Sequence, residues 1–560
     1  MEDKMLKKWW HNTIGYQIYP KSFQDTNGDG IGDIRGVIRH LDDLQDLGIN
    51  VIWLCPIYKS PMVDHGYDIS DYDRIDPMFG TNEEMEELIL EADKRGIKIL
   101  MDLVVNHTSD QHEWFQKAMA DPDSEYADYY IIKEGDGDNP PNNWRSIFGG
   151  SAWEKIGDTN KYYLHLFTKG QPDLNWENPK LREIIYDMVN RWLDMGLGGF
   201  RIDAISHLKK NFAYVNQPAD GPDGLASAWD YFRNAKGLNV FLNELNEKTF
   251  KPHNALTIGE VDDVRPEELG EFIGDDGYFS TIFDFCHTQF HVKDKEWKDR
   301  PLEMIHELRE RLFAKQDYAK GHGLMCNFTD NHDTSRSVER FIPEEYISFY
   351  SESLLASVNF FLRGIVFLYQ GQEIGMRDYQ KKSINEFLDL ATFNNYNGYL
   401  LKGMTEEEAL EKVNNECREH SRTPMQWNDR KNAGFTEGTP WFEVNPNYRR
   451  INYEAQKKDE NSLLSYYKKM IALRKREDLE EAFIYGDTIP RYEDQDGIIA
   501  YERRYEGKRI LAIHNCNARE IRLPLEDEIG EILLNNYEKL NVGEGNVVLS
   551  GFQSVITKLI

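Results

Sequence analysis

Residues 81–105, TNEEMEELILEADKRGIKILMDLVV, contain the local pattern that decides the fold. Thr81 with Glu84 has the form of a capping box, which marks the start of a helix. Apolar side chains then follow at helical spacing: Met85, Leu88, Ile89 and Ala92. Gly96 supplies the left-handed residue at which helices commonly end. The nearly continuous apolar run at 97–105 is typical of a strand buried on both faces, so this stretch predicts a helix followed by a parallel strand.

The same order of helix, glycine and apolar strand recurs along the first two-thirds of the chain. In one repeat, Gly48 precedes the strand NVIWLCP. In another, a helix begins at Pro179 and ends at Gly196, before the strand GGFRID. Alternating helices and buried strands imply a parallel sheet with crossover helices. The candidate strands span 14–19, 50–55, 97–105, 198–203, 255–260, 280–285, 323–329 and 364–370. They predict an α/β fold, a (β/α)8 TIM barrel. The alternative is an open doubly wound sheet, whose glycine-rich nucleotide loop is missing from the sequence.

Two insertions and a C-terminal region depart from this repeat. A segment rich in Gly, Asn, Pro and aromatic residues follows the third strand, and a polar segment with a charged helix follows the eighth. From about residue 485 the pattern changes to strands separated by turn residues, which predicts an antiparallel β-domain. The predicted domains are the barrel (1–105 and 174–484, with an insertion at about 376–430), an inserted small domain (106–173) and a C-terminal antiparallel β-domain (485–560).

The net charge and the aromatic content of the chain indicate which kind of molecule it binds. The 560 residues include 66 Lys plus Arg and 97 Asp plus Glu, a net charge of −31 that disfavours nucleic acid and anionic membranes. The 30 Tyr, 28 Phe and 12 Trp residues suit a sugar ligand, whose apolar ring faces stack on aromatic side chains. We therefore expect a small oligosaccharide as the partner.

Cysteine spacing and the apolar segments predict a cytoplasmic protein. No C-x-x-C pair is present and the count is odd, so neither a disulfide framework nor a zinc site is expected. The N-terminal residues lack the apolar region of a signal peptide, and the most apolar stretch, 354–369, is too short and too polar to span a bilayer. The cysteines are Cys55, Cys286, Cys326, Cys417 and Cys516.

Polar residues stand at the ends of four predicted strands. They are Asp102, Asn106 and His107; Arg201 and Asp203; Glu260; and Asn331, His332 and Asp333. In a barrel these ends meet at one face, where the active site lies. Carboxylates from three strands would converge there, and a carboxylate pair in an aromatic pocket is the minimum requirement of glycoside hydrolysis.

The motifs DLVVNH, GFRIDAIS, TIGE and FTDNHD resemble four sequence regions of the α-amylase family of glycoside hydrolases. GYQIYPKSFQDTNGDGIGD, DHGYDISDY and SRTPMQWN resemble its oligo-1,6-glucosidase/α-glucosidase branch, and the resemblance covers the whole chain. It implies a retaining mechanism. Asp203 would be the nucleophile, kept ionised by Arg201, and Glu260 the acid and then base. Asp333 would hold the C2 and C3 hydroxyls of the bound glucose.

The resemblance also implies a pocket for one terminal glucose. His107 and His332 would donate hydrogen bonds to this sugar, and Tyr67 would stack on it. Asp64 and Arg422 would pair and close the pocket, which gives exo action. Phe167 and Gln171 would line it from the inserted domain, and Ala204 would lie near the next sugar. Relatives that prefer α-1,6 bonds usually carry valine at the position of Ala204, so alanine should leave room for α-1,4 substrates as well.

The segment DTNGDGIGD offers oxygen ligands for a cation at alternate positions: Asp25, Asn27, Asp29, the Ile31 carbonyl and Asp33. It resembles the first part of an EF-hand loop. However, the twelfth position is Gly36 and no helix precedes the loop, so it is not an EF-hand. The resemblance to the glucosidase branch implies one structural Ca²⁺ here; the alternative is a turn without metal.

These features predict an intracellular α-glucosidase that releases glucose from short α-glucosides. Trehalose-6-phosphate hydrolases and sucrose isomerases of the family share most of the motifs. The Arg/Asp-rich loop of the isomerases is not evident in 341–420, and the sequence does not locate a basic cluster for a phosphate. Non-catalytic relatives, such as transporter subunits, carry a membrane span and lose catalytic acids, and this chain retains all three acids.

Overall fold

The computed structural model describes residues 7–211, 213–261, 264–285 and 301–560. Its central sheet has eight parallel strands, as predicted. In chain order these are β1 (Ile14–Ile18), β2 (Val51–Leu54), β3 (Lys98–Val104), β4 (Gly199–Asp203), β5 (Leu256–Glu260), β6 (Thr281–Phe283), β7 (Cys326–Asn327) and β8 (Ile365–Tyr369). Hydrogen bonds connect them in the order β6-β5-β4-β3-β2-β1-β8-β7, and β6 and β7 contact each other. The sheet therefore closes into a TIM barrel.

The helix that precedes β3 forms as its sequence predicts. Asn82–Asp93 is capped by the Thr81 side chain, which accepts from the Glu84 N–H while the Glu84 side chain accepts from the Thr81 N–H. Gly96 has φ +71°, the left-handed conformation that ends the turn without a side-chain clash. After its first residue β3 is buried throughout, because helices cover one of its faces and the barrel interior lies against the other.

Helices surround the barrel. Those of eight residues or more outside the insertions are Asn82–Asp93, Pro179–Asp194, Leu238–Leu245, Pro301–Tyr318, Phe349–Phe360 and Leu463–Arg474, and shorter ones span Ile34–Arg39, Leu41–Leu47 and Glu480–Tyr485. The barrel interior is a packed core. Its side chains include Val51, Trp53, Leu100, Leu256, Ile258, Phe283, Cys326, Ile365 and Phe367. A filled interior leaves the loops at the C-terminal face to form the site.

The segment between β3 and helix Pro179–Asp194 has its own small sheet. Helix Glu113–Ala120 is followed by Ile132–Glu134, Trp153–Lys155 and Lys161–Leu164, which form an antiparallel sheet with Lys161–Leu164 in the middle. Beyond β8, an insertion contains helices Leu390–Leu401 and Glu406–Glu416, which we call the insertion helices. Both segments rise from the C-terminal face of the barrel, since they follow strand ends.

The C-terminal region is an antiparallel β-domain, as predicted. One sheet has the order Asp487–Arg491, Ile498–Tyr505, Lys508–Asn515, Ser554–Leu559, Ile529–Asn535, and a smaller one has the order Ile521–Pro524, Asn546–Leu549, Asn541–Gly543. Among the described residues, no helix has the length and apolar composition that a membrane span needs. The four cysteines in the described ranges are free thiols, and Cys286 lies outside those ranges.

Candidate active site

Arg201 lies at the centre of the site and contacts three carboxyl groups. Its Nη1 is 2.5 Å from Oδ1 of Asp203 and 2.7 Å from Oδ1 of Asp102, and its Nη2 is 2.8 Å from Oε1 of Glu260. The guanidinium is fully buried, with Arg201 in the middle of β4, Asp102 on β3 and Glu260 at the end of β5. Three neighbouring parallel strands therefore bring these groups together. Asp102 belongs to the cluster, although the sequence analysis gave it no role in the site.

The two predicted catalytic carboxyl groups share one buried environment. Burial raises the pKa of Glu260 to about 8; Arg201 opposes this shift, and the charges of Asp203 and Asp333 add to it. Burial raises the pKa of Asp203 to about 7, against the effect of Arg201, and Glu260 is close enough to form a hydrogen bond with it. Because both pKa values are raised, the pair of carboxyl groups retains a proton near neutral pH, and a general acid beside a nucleophile needs such a proton.

Asp333 is bound by two arginines through one carboxylate oxygen and by His332 through the other. Its Oδ1 lies 2.8 Å from Nη2 of Arg422 and 3.0 Å from Nη1 of Arg418, and its Oδ2 lies 3.1 Å from Nε2 of His332. Burial opposes ionisation of Asp333, but His332 and the two arginines outweigh it and hold its pKa below the usual range. Asp333 is therefore ionised, and its carboxylate can accept hydrogen bonds from sugar hydroxyl groups.

A chain of buried hydrogen bonds orients His332. Gln17 on β1 donates through Nε2 to Nδ1 of His332 at 2.7 Å, so the ring proton lies on Nε2. That Nε2 is 2.5 Å from the Tyr67 hydroxyl, which in turn lies 3.1 Å from Oδ2 of Asp102. The Tyr67 and His332 rings are nearly parallel, with an interplanar angle of 11°. Sequence reasoning did not find Gln17, whose only signal is a polar residue inside an apolar strand.

The predicted residues of the inserted domain reach the same pocket. Gln171 donates through Nε2 to Oδ2 of Asp64 at 3.0 Å and lies 3.1 Å from Nε2 of His107. His107 also contacts the Tyr67 carbonyl at 3.0 Å, and its ring centroid is 5.0 Å from that of Phe167. The side chains predicted to surround one glucose therefore lie around one pocket.

The expected pair between Asp64 and Arg422 is not formed, although both residues are described. Asp64 pairs with Arg418 instead, at 3.2 Å from Nη2, and Arg418 also binds Asp333 and Asp389. Arg422 lies one turn further along the 3₁₀ segment Arg418–Arg422 and reaches only Asp333 of these carboxylates. Sequence reasoning stopped at SRTPMQWN and missed Arg418, although REHSR places a second arginine four residues before Arg422.

Ala204 follows the predicted nucleophile in a strained backbone conformation. Its φ is +49° and its ψ +35°, a left-handed position that few residues other than glycine adopt. Its N–H donates to Oε2 of Glu260 at 2.9 Å. The residue therefore orients the predicted acid through its backbone, in addition to any effect of its side chain on the substrate.

A cavity of about 570 Å³ opens above Glu260 and Asp333. The inserted domain and the insertion after β8 form its walls. The lining residues are Ile147, Phe148, Glu260, Phe285, Asp333, Thr334, Asp389, Ala391, Thr392, Asn395, Val413, Glu416, Cys417 and Arg418. This volume is in the range of sites for small organic ligands.

Comparisons with known proteins identify the family of the chain. A model of the α-amylase catalytic domain matches residues 17–483, and a model of the SusG α-amylase C-terminal domain matches residues 498–556. The chain belongs to the α-amylase family. It is 39% identical to an oligo-1,6-glucosidase of Bacillus cereus, over 99% of this chain and 100% of that one. The protein is therefore a glycoside hydrolase of the α-amylase family.

Other members of the family are nearly as similar to this hydrolase. A trehalose-6-phosphate hydrolase of Bacillus subtilis is 37% identical over 98% of both chains. The crystal structure of an isomaltulose synthase from Protaminobacter rubrum superposes with a TM-score of 0.93 at 36% identity, covering 99% of this chain and 100% of that one. Overall likeness therefore shows the family, and the substrate has to be argued from the site.

The predicted calcium loop of this hydrolase follows β1 and contains three successive Asx turns. Oδ1 of Asp25 accepts from the Asn27 N–H at 2.9 Å, Oδ1 of Asn27 from the Asp29 N–H at 2.8 Å, and Oδ1 of Asp29 from the Ile31 N–H at 2.8 Å. Asn27 and Asp29 each use one lone pair in this way and have capacity left for a cation. Their side chains are exposed.

The end of the loop is held by protein donors. Asp33 caps helix Ile34–Arg39 by accepting from the Gly36 N–H at 2.7 Å, and it accepts from both the N–H and the hydroxyl group of Thr26. Within the described ranges, no group of three or more His, Cys, Asp or Glu side chains is arranged to hold a metal ion. Calcium binding at Asp25, Asn27, Asp29, Ile31 and Asp33 stays a prediction.

Proposed function

We propose that the protein is a retaining, exo-acting α-glucosidase. It hydrolyses terminal α-1,6 and α-1,4 bonds of short oligosaccharides such as isomaltose and maltose through a covalent glucosyl-enzyme. The observation that carries this proposal is that Asp203 and Glu260 bind the two Nη atoms of one guanidinium, that of Arg201, at 2.5 and 2.8 Å. Retaining glycosidases have their two carboxyl groups close together, whereas inverting enzymes separate them so that a water molecule fits between the acid and the sugar.

The roles of the two carboxyl groups follow from their surroundings. Oδ1 of Asp203 is bound to Arg201, so its other oxygen is available to attack the anomeric carbon, and the C1–O bond to the leaving sugar breaks. Glu260 gives its proton to that leaving oxygen. In the second step Glu260 takes a proton from water, the water oxygen attacks C1, and the bond to Asp203 breaks with release of glucose.

The network around Asp64 supports exo action. Arg418 joins Asp64, Asp333 and Asp389, and Gln171 joins Asp64 to the inserted domain. These contacts would close the predicted glucose site on the side away from the leaving group. A chain that continued in this direction would have to break buried charge pairs, so only a terminal glucose is expected to enter.

Charge at the cavity favours a neutral substrate over a phosphorylated one. Among the described residues that line it, Glu260, Asp333, Asp389 and Glu416 carry carboxyl groups, and Arg418 is the one cationic side chain. Arg418 is already bound to three carboxylates. Recognition of a phosphate needs free cationic or N–H donors, so trehalose 6-phosphate is a weaker candidate than isomaltose or maltose.

We also propose that the loop 25–33 binds one structural Ca²⁺. The alternating oxygen atoms of Asp25, Asn27, Asp29, Ile31 and Asp33 and the Asx turns between them support this proposal. Carboxylate, amide and carbonyl oxygens are the ligands that Ca²⁺ prefers. The ion would stabilise the loop and would take no part in the chemistry.

The proposed function is tested with initial rates on isomaltose, maltose, trehalose 6-phosphate and sucrose. We expect glucose release from the first two and little turnover of the phosphorylated sugar.

Asp203→Asn should fold normally and lose nearly all turnover, because the amide is a poor nucleophile. Asp187→Asn, at an exposed position on helix Pro179–Asp194, serves as the matched control. More than a tenth of wild-type activity in Asp203→Asn would contradict the assignment. Sucrose converted mainly to an isomer would place the protein among the isomerases instead.

A further inference from the structure

Arg336 is a fully buried arginine in the loop after β7, three residues beyond Asp333 and directly before the short helix Ser337–Phe341. Within the described part of the chain, its guanidinium forms no ion pair with a carboxylate. Burial of a charged group is unfavourable unless hydrogen-bond acceptors replace the lost water. The acceptors around Arg336 therefore show which parts of the chain its side chain holds in place.

The Arg336 guanidinium donates to main-chain carbonyls of two other segments. Its Nη1 donates to the Gln370 carbonyl, directly after β8, at 2.8 Å, and its Nη2 donates to the Ser421 carbonyl at 3.3 Å. The guanidinium carbon lies 5.0 Å from the ring centroid of Tyr369, whose hydroxyl group donates to the same Ser421 carbonyl at 2.8 Å. Because a guanidinium is planar and rigid, these contacts fix the position of Ser421 relative to β8 and to the loop after β7.

Ser421 lies in the 3₁₀ segment between Arg418 and Arg422, the two arginines that bind Asp333. Both arginines contact the same oxygen, Oδ1 of Asp333, from one turn of this segment. A shift of the segment would therefore change both distances together. Arg336 joins the loop that carries Asp333 to this segment at the residue directly before Arg422, where it can hold the carboxylate and its two partners in register.

We propose that Arg336 is a positioning residue for Asp333. The proposal rests on the proposed function, in which the Asp333 carboxylate holds the C2 and C3 hydroxyl groups of the bound glucose. Arg336 does not line the cavity above Glu260 and Asp333, so it acts through the arginine segment rather than on the sugar. Hydrogen bonds weaken steeply with poor distance and angle, so release of this segment should weaken recognition of the two hydroxyl groups.

Recognition of the C2 hydroxyl group is measured by the ratio of kcat/KM for nitrophenyl α-glucoside to kcat/KM for its 2-deoxy analogue. Arg336→Met should lower this ratio about tenfold and Arg336→Lys about threefold, since lysine keeps the charge and one hydrogen bond but lacks the planar fork. Tyr369→Phe keeps the ring beside Arg336 and removes the other hydrogen bond to the Ser421 carbonyl, so it should lower the ratio about twofold. The difference in reactivity between the two substrates cancels, because only changes in the ratio are compared.

Arg474→Met is the matched control for loss of a buried arginine. Arg474 ends helix Leu463–Arg474, is buried and also donates to main-chain carbonyls, which precede β8 at the end of the barrel away from the site: those of Phe360, Leu362 and Gly364. Its loss should lower stability and leave the ratio at the wild-type value. Equal falls in Arg474→Met and Arg336→Met would attribute the effect to stability and overturn the proposal. A ratio unchanged in Arg336→Lys and Tyr369→Phe overturns it even where Arg336→Met does not fold.

Crystal structures of the wild-type protein and of Arg336→Lys separate this proposal from the proposed function, because they need no turnover. In the variant we expect the Ser421 carbonyl to shift and at least one arginine nitrogen to move beyond hydrogen-bond distance of Asp333, about 3.2 Å. Unchanged contacts of Asp333 in the variant refute the positioning role even where the wild-type protein is a glucosidase. A wild-type protein that hydrolyses no α-glucoside refutes the proposed function, and the two structures then still decide the positioning role.

Discussion

Arg201 shows how a single side chain sets the chemistry of its neighbours. It is fully buried and contacts Asp102, Asp203 and Glu260 together. One positive charge cannot neutralise three carboxylates in a buried site, so a proton is retained there. Burial and the charges of Asp203 and Asp333 favour the protonated form of Glu260, whereas Arg201 and the Ala204 N–H favour the ionised form.

This arrangement predicts the pH dependence of the reaction. The active form has Asp203 ionised and Glu260 protonated, and burial raises the pKa of both carboxyl groups above the usual range. The acidic limb of kcat/KM should reflect protonation of the pair, and the alkaline limb should reflect loss of the Glu260 proton, with the maximum between them. Rates for isomaltose between pH 5 and pH 10 test this prediction.

Glu260→Gln tests whether Glu260 is the proton donor and the cause of the alkaline limb. It should lose roughly 10²–10⁴-fold on a sugar leaving group and should also lose the alkaline limb, because the amide does not titrate. The loss in the glycosylation step should be smaller with a nitrophenyl glucoside, whose leaving group needs less protonation. Equal losses on both substrates in that step, or an alkaline limb that persists in the variant, would contradict the role of Glu260.

The size of the side chain at position 204 is expected to influence the preference between α-1,4 and α-1,6 bonds. Replacement by valine should lower kcat/KM for maltose relative to isomaltose about tenfold, or ~1.4 kcal/mol, since the added methyl groups crowd the α-1,4-linked sugar. The left-handed backbone also disfavours a β-branched residue, so both activities should fall and only their ratio is informative. Ala204→Thr has the same branching and nearly the same size, so crowding should lower the maltose-to-isomaltose ratio in this variant as well. A ratio that stays at the wild-type value in both variants would assign linkage preference to other residues.

At the scale of elements, the loop after β1 is held against the segment that carries Arg422. Ser22 donates to the Arg422 carbonyl at 2.6 Å, the Trp427 indole donates to the Phe23 carbonyl at 2.7 Å, and the Trp441 N–H donates to the Gly30 carbonyl at 2.9 Å. These contacts join segments that are about 400 residues apart in sequence. Stability of the proposed calcium loop and the position of the insertion are therefore linked.

Calcium should raise the melting temperature without changing the chemistry. We expect a chelator to lower the melting temperature and added Ca²⁺ to restore it, because an ion that binds only the folded state stabilises it. Asp29→Ala removes one proposed ligand and leaves the helix cap of Asp33 intact, so the variant should no longer respond to either addition. A melting temperature that is indifferent to chelator, with no metal by elemental analysis, would favour a turn without metal.

At the scale of the whole molecule, the proposed glucose pocket is assembled from four parts of the chain. The barrel supplies Arg201 and Glu260, the loop after β2 supplies Asp64, the inserted domain supplies Gln171 and the insertion after β8 supplies Arg418. Asp64 and Arg418 are 354 residues apart in sequence. Closure of the pocket is therefore a property of the complete fold rather than of any one motif.

The closed pocket predicts the products formed from longer substrates. Soluble starch should be cleaved poorly, and glucose should be the one early product, because only a chain end fits between the Asp64 network and the catalytic carboxyl groups. Chromatography of early time points tests this, with a maltoheptaose blocked at its non-reducing end as the control that should resist cleavage. Early maltotriose, or cleavage of the blocked substrate, would show a pocket open at both ends.

Local sequence was sufficient for the barrel and for placing most of the candidate site residues at one face of it. Periodicity and the capping box predicted the helix before β3, because these depend on neighbouring residues alone. The catalytic carboxyl groups could be found because each follows a buried strand, and parallel strands end at one face. Strands β6 and β7 are shorter than predicted, at Thr281–Phe283 and Cys326–Asn327, because the apolar runs continue into segments that leave the sheet.

The pairing of charges was decided by the tertiary structure. Arg418 and Arg422 lie one turn apart, and the path of the chain, rather than the motif, places Arg418 against Asp64. Gln17 acts on His332 across the barrel interior, 315 residues away in sequence. Sequence determined which residues end each strand, since that depends on local burial and periodicity. Only the fold determined which distant charges meet, because buried ion pairs form between groups that packing brings within about 3 Å.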